Sequence, residues 1–106
     1  MDSFDYRKDY LKIVIDLRNV KTERSFLLKM QEMLGLPSYF WLSFNSLDDC
    51  MLSLEWIDER QVEIEFLHLS EIQKVNNPLY ISIKESLEMY QNYWHKKQDK
   101  QVSFSF

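Results

Sequence analysis

Glycine, proline and cysteine are scarce in this chain of 106 residues, which has one glycine, Gly35, one cysteine, Cys50, and two prolines, Pro37 and Pro78. A single glycine excludes the phosphate-cradling loops of nucleotide-binding proteins, which need several glycines so that backbone N–H groups can approach the phosphates. A single cysteine excludes an internal disulfide, and a lone thiol suits a reducing compartment, so a cytoplasmic location is expected. The only histidines, His68 and His95, show no clustered ligand spacing with Cys50, so neither a metal nor a cofactor is expected. There is no run of apolar residues long enough to cross a bilayer, and the opening MDSFDYRKDY alternates charges with rings instead of offering an export signal.

Basic runs are equally sparse. The one stretch, His95-Lys96-Lys97-Gln98-Asp99-Lys100, is interrupted by Asp99 and reads as the positively charged end of a helix, so direct nucleic-acid binding is not expected. Acid is plentiful and local: Asp48, Asp49, Glu55, Asp58, Glu59, Glu63 and Glu65 face only Arg60 between Asn45 and Glu65, within a net charge of −4 for the whole chain. Such a field repels nucleic acid and raises the encounter rate with a basic protein. The length is that of one domain, residues 1–106, and 45% hydrophobic residues are enough for a core.

Hydrophobic spacing predicts the elements. Leu11 to Leu17 is nearly continuous, with β-branched residues, and reads as a central strand covered on both faces. Thr22 offers an N-cap to a helix whose apolar residues Phe26, Leu27, Met30 and Leu34 recur at helical spacing, and Gly35 ends it. Pro37 opens a connector to Phe44. A second helix is expected from Asn45, as N-cap, into the region Leu54 to Ile57. Val62 to Phe66 alternates apolar and acidic residues and reads as an outer strand, with His68 at its end. A last helix is expected with Asn77 as cap and Pro78 at its first position, burying Leu79, Ile83, Leu87, Tyr90 and Trp94, although LYISIKE also reads as a strand. Val102 to Phe106 alternates again. Three strands linked by helical crossovers define an α/β fold with a small three-stranded parallel sheet and helices packed over it.

On the second helix, Leu47, Cys50, Met51, Leu54 and Ile57 fall on one side and are expected in the core. A Cys50/His68 nucleophile pair would need an accessible thiol, which this placement denies; an enzyme is not expected. The opposite side carries Asn45, Asp49, Leu52 and Trp56, with Asp48 on the flank. The connector adds Tyr39, Phe40, Trp41 and Phe44, of which two are expected in the core. Acids in a first turn also stabilise a helix through its dipole, so Asp48 and Asp49 have a purely structural reading; exposed rings beside carboxylates favour a binding surface.

The segment LPSYFWLSFNSLDDCM resembles the signature of the barstar family, small intracellular inhibitors of secreted ribonucleases, at Leu36, Pro37, Tyr39, Phe40, Leu47, Asp49 and Cys50. The resemblance implies that the connector and second helix plug a nuclease active site. Their acids would stand in for RNA phosphates, with Tyr39 a contact residue and Asp49 the main anionic anchor. Four positions depart from the signature: Trp41 stands for a glycine, Ser43 for an asparagine, Asn45 for the first interface aspartate and Asp48 for a variable or aromatic residue. A glycine can hold a backbone shape that tryptophan resists, so the first departure predicts an altered connector. The family also uses an acid on its last helix; Glu85 and Glu88 lie in that region, and neither is assigned.

The expected partner is therefore a basic protein, a ribonuclease or related toxin, bound through Tyr39, Trp41, Ser43, Phe44, Asn45, Asp48, Asp49 and Leu52. The alternative is a non-inhibitory interaction domain that self-associates through the aromatic connector.

Overall fold

The computed structural model describes residues 9–106. Strand β1 (Tyr10–Asp16) leads through helices α1 (Glu23–Leu34) and α2 (Phe44–Met51) to β2 (Gln61–Leu67). Helices α3 (Leu69–Val75) and α4 (Asn77–His95) then carry the chain to β3 (Gln101–Ser105). Both strand pairings are parallel, in the order β1-β2-β3, and each crossover contains two helices. The fold is α/β, as the spacing predicts.

The strand order corrects one expectation. β2 is central and β1 lies at an edge, the reverse of the arrangement read from the apolar run at Leu11 to Leu17. Side chains alternate across the sheet, and the register aligns Leu11 with Val62 and Val102, Ile13 with Ile64 and Phe104, and Ile15 with Phe66, all on one face. Their neighbours Tyr10, Lys12, Val14, Glu63, Glu65, Ser103 and Ser105 share the other face. Val14 is exposed, so β1 is covered on one side only. The acids of β2 mark the wet face of a central strand, not a sheet edge. Lys12 sits between them, 3.9 Å from Glu63 and 3.5 Å from Glu65.

Helix boundaries follow local chemistry. Thr22 caps α1 by accepting from the Ser25 N–H, and Ser25 bonds back, a reciprocal pair that satisfies free donors of the first turn. Gly35, at φ 60°, closes the helix in the left-handed conformation. The last helix starts at Asn77, one residue later than its cap: the side chain of Asn76, not Asn77, accepts from the Leu79 N–H at 3.2 Å. LYISIKE is helical, and Leu79, Ile83, Leu87, Tyr90 and Trp94 are all buried. The short α3 has no counterpart in the sequence reading. His68, placed there on a strand, stands just beyond β2 at φ 68°, with Nδ1 2.7 Å from the Glu71 carboxylate.

The core is one cluster between the inner sheet face and the helices, including Ile15, Phe26, Met30, Leu47, Met51, Ile64 and Leu87. Each such side chain contributes about 1.5–3 kcal/mol when fully buried. Among the described residues, no helix is long and apolar enough to cross a membrane.

Candidate docking face

Three side chains of α2, Leu47, Cys50 and Met51, are wholly buried and hold the helix against the core. Leu54 and Ile57 are buried as expected, but the helix itself stops at Met51; Leu54, at φ 47°, turns the chain. Trp56 is drawn inward as well, donating its indole N–H to the Leu34 carbonyl at 3.0 Å, so it is not part of an outward face. The opposite side of α2 presents Asn45 and Asp49 to water, with Leu52 half-buried.

The start of α2 corrects a further expectation. Ser43, not Asn45, is the N-cap: its hydroxyl accepts from the Ser46 N–H at 3.1 Å. The Ser46 hydroxyl in turn accepts from the Trp41 N–H at 2.9 Å, tying the connector to the first turn. Trp41 does not fall among the residues with positive φ, which outside glycine are Asn19, Leu54 and His68 among those described. Tryptophan therefore occupies the connector at a backbone conformation open to any L residue. Ser43 spends its side chain on the cap, and Asn45 is freed from capping.

The rings of the connector divide two and two. Phe40 is buried, and Phe44 is half-buried and stacked on Phe26 with centroids 5.7 Å apart. Tyr39 is 51% exposed and Trp41 77% exposed, with Leu42 also open to solvent. Tyr39 donates a long hydrogen bond, 3.4 Å, to Glu55, a residue that local spacing did not single out although it stands in the acidic stretch. Partial desolvation, with the Glu55 charge next, holds the Tyr39 phenol above its ordinary value.

The two adjacent aspartates have different surroundings. Asp49 is exposed and joins none of the side-chain hydrogen bonds or ion pairs among the described residues. Asp48 is half-buried and accepts from the hydroxyl of the wholly buried Tyr90 at 2.5 Å. Burial, followed by this bond to an anionic acceptor, pushes the Tyr90 phenol far up. Burial also raises the Cys50 thiol, with the charges of Asp49 and Glu55 adding, so the thiol is neutral and enclosed.

The acidic stretch is thus split by the fold. Asp48, Asp49 and Glu55 remain with the connector, while Glu63 and Glu65 go to the open sheet face with Lys12. What remains around the connector is a surface of exposed rings, the Asp49 carboxylate, unpaired among the described residues, and the Asn45 amide, held by buried helix contacts and side-chain bonds to the backbone.

The fold is thus a three-stranded parallel α/β domain in which the connector and α2 present this surface at one end of the first crossover. The chain matches the family described as Barstar (barnase inhibitor) over residues 10–106, essentially its whole length, and belongs to that family. No curated protein matches it.

Proposed function

We propose that this chain is a non-enzymatic inhibitor that occludes the active site of a basic ribonuclease or related toxin with its connector and α2, acting in the cytoplasm. The observation that carries the reading is that one segment, the connector and α2, leaves both Trp41, 77% exposed, and Asp49, exposed and without a side-chain partner among the described residues, open to solvent. A large ring costs solubility when left in water, and an exposed carboxylate on the helix that follows gives a cationic cleft both an apolar and an anionic group to grip. Membership of a family described by barnase inhibition supports the same reading. Tyr39, Asn45 and Leu52 extend the face; Phe44 and Ser43 support it from behind.

The test is RNA hydrolysis by barnase, and by a panel of other basic ribonucleases, titrated with the purified chain. Stoichiometric inhibition of at least one enzyme is expected. Asp49→Ala should weaken that inhibition by the amount typical of a central interface residue, about 2 kcal/mol or more, with the thermal midpoint nearly unchanged. No inhibition across the panel, or a stability loss with inhibition intact, would overturn the assignment.

A second reading rests on the cluster of Tyr39, Trp41 and Leu42, exposed apolar surface that would also suit a second copy of this chain. Sedimentation across a range of concentrations separates the two. A dimer lost in Trp41→Ala would favour self-association, and a monomer throughout would dismiss it.

A further inference from the structure

The two edges of the sheet are finished differently. In β3, Gln101 donates to the Arg60 carbonyl, and main-chain direction alternates along a strand, so the groups of Val102 and Phe104 point away from β2. That strand is five residues long, and the Phe104 carbonyl already accepts from the Gln91 side chain of α4 at 3.1 Å. The edge is short and partly occupied. At the other edge, Asp9 accepts from Gln61 and Leu17 donates to Leu67, so the main-chain groups of Tyr10, Lys12, Val14 and Asp16 face outward. Among the described residues these groups have no hydrogen-bond partner. β1 is seven residues long, without a proline or a bulge, two of the devices that keep a sheet edge from pairing. The lysine that would guard it, Lys12, is drawn across the open sheet face to Glu63 and Glu65.

We propose that β1 pairs antiparallel with β1 of a second copy of this chain across a two-fold axis, joining two three-stranded sheets into one of six strands. Charge sets the register. A two-fold axis at Lys12 would place two lysines face to face, and one at Ile13 would set Lys12 against Val14 and leave its charge unmatched. With the axis at Val14, Lys12 stands opposite Asp16 of the second copy on both sides, and Val14, 39% exposed, meets Val14. Lys12 lies 3.5 Å from Glu65, and Arg18 is bonded to Asp16 at 2.7 Å. Charges on the open face then alternate across the junction, from Glu65 through Lys12 to Asp16 and Arg18 of the second copy. On the inner face, half-buried Ile13 comes opposite Ile15 of the second copy and extends the apolar layer. Tyr39 to Leu52 take no part, so this pairing goes beyond the inhibitor reading and stands or falls apart from it.

The test uses the whole chain and needs no ribonuclease. In sedimentation velocity the parent should show a monomer–dimer equilibrium that shifts with concentration. Val14→Lys sets two like charges at the axis and should sediment as a monomer with the circular dichroism of the parent, whereas Trp41→Ala should dimerise as the parent does. Val14→Cys gives a second readout. Directly opposed, hydrogen-bonded residues of an antiparallel pair lie about 5.5 Å apart between Cα atoms, within the span of a disulfide. Under mild oxidation it should form a linked dimer about tenfold or more faster than Ser103→Cys, exposed on the same sheet face beside the other edge, because pairing raises the local concentration of the thiols. Cys50 is buried, and the parent serves as its control. A parent that stays monomeric up to its solubility limit, a dimer that persists in Val14→Lys, a dimer lost in Trp41→Ala alone, or cross-linking at Ser103 as fast as at Val14 would overturn the proposal. Should Val14→Lys fail to fold, the cross-linking comparison decides.

Discussion

Trp94 on α4 donates its indole N–H to the main-chain carbonyl of Met51, the last residue of α2, at 2.8 Å. The bond is buried and joins residues 43 positions apart, so the end of the candidate docking helix is anchored by the last helix. Trp94→Phe keeps most of the ring volume and removes the donor, leaving a buried carbonyl at a helix end without its partner. The expected loss is about 1–3 kcal/mol. Urea unfolding should show a lower midpoint at an unchanged slope; an unchanged midpoint would mean that the Met51 carbonyl finds another donor.

Gly35 ends α1 at φ 60°, and a Cβ built there meets nothing within 4 Å. Space is free, so the cost of Gly35→Ala is conformational alone. The left-handed region disfavours an L side chain by about 1–2 kcal/mol, and stability should fall by that amount. The serious test is Gly35→Asn, which tolerates this region better and should recover part of the loss. Equal losses in both variants would point to a steric cause.

How much of this architecture is legible in the sequence depends on the range over which each signal acts. Thr22, Gly35 and Pro78 mark helix ends through groups within one turn, and the two long helices are found where these residues imply. The inward face of α2 follows from its periodicity, which buries Leu47, Cys50 and Met51. The sheet order does not follow. An apolar run such as Leu11 to Leu17 fits a central strand or an edge strand, and only long-range pairing places Lys12 between Glu63 and Glu65 and puts β2 in the middle. The seven-residue α3 is too short to impose a clear helical period between two stronger signals. At the candidate docking face, the number of rings implies that some stay outside, but not which: Phe44, expected in the outward face, stacks on Phe26, while Tyr39 and Trp41 remain exposed. The separate environments of Asp48 and Asp49 are not legible either, because Asp48 owes its own to Tyr90, 42 residues away.

That same Tyr90 gives the protein an alkaline limit. Its phenol is wholly buried against an anionic acceptor, so its folded pKa is raised above the ordinary value of 10.0. The folded state then binds more protons than the unfolded state above that value. The stability this group contributes is fully present below pH 10.0 and declines as pH rises beyond it. Tyr90→Phe removes this proton linkage along with the bond to Asp48. The variant should be less stable near neutral pH, while its stability falls less steeply above pH 10.0 than that of the parent. Denaturant titrations at a series of alkaline pH values, with tyrosinate absorbance followed in parallel, measure both slopes. Parallel slopes would show that Tyr90 ionises in the folded protein without penalty.

Cys50 reports whether α2 stays seated. Its thiol has no exposed surface, and burial with the nearby acids disfavours the thiolate, the form that reacts. Alkylation by iodoacetamide under native conditions should therefore proceed only through opening of α2 or of the whole domain, far more slowly than with a free thiol. The rate should rise with urea in step with the population of the open state. Trp94→Phe should accelerate labelling, because it loosens the end of the helix that carries Cys50, whereas Asp49→Ala, confined to the outer face, should leave it nearly unchanged. Fast labelling of the parent chain would mean that α2 is not held against the core, and a face meant to present Trp41 and Asp49 in fixed relation would lose its support.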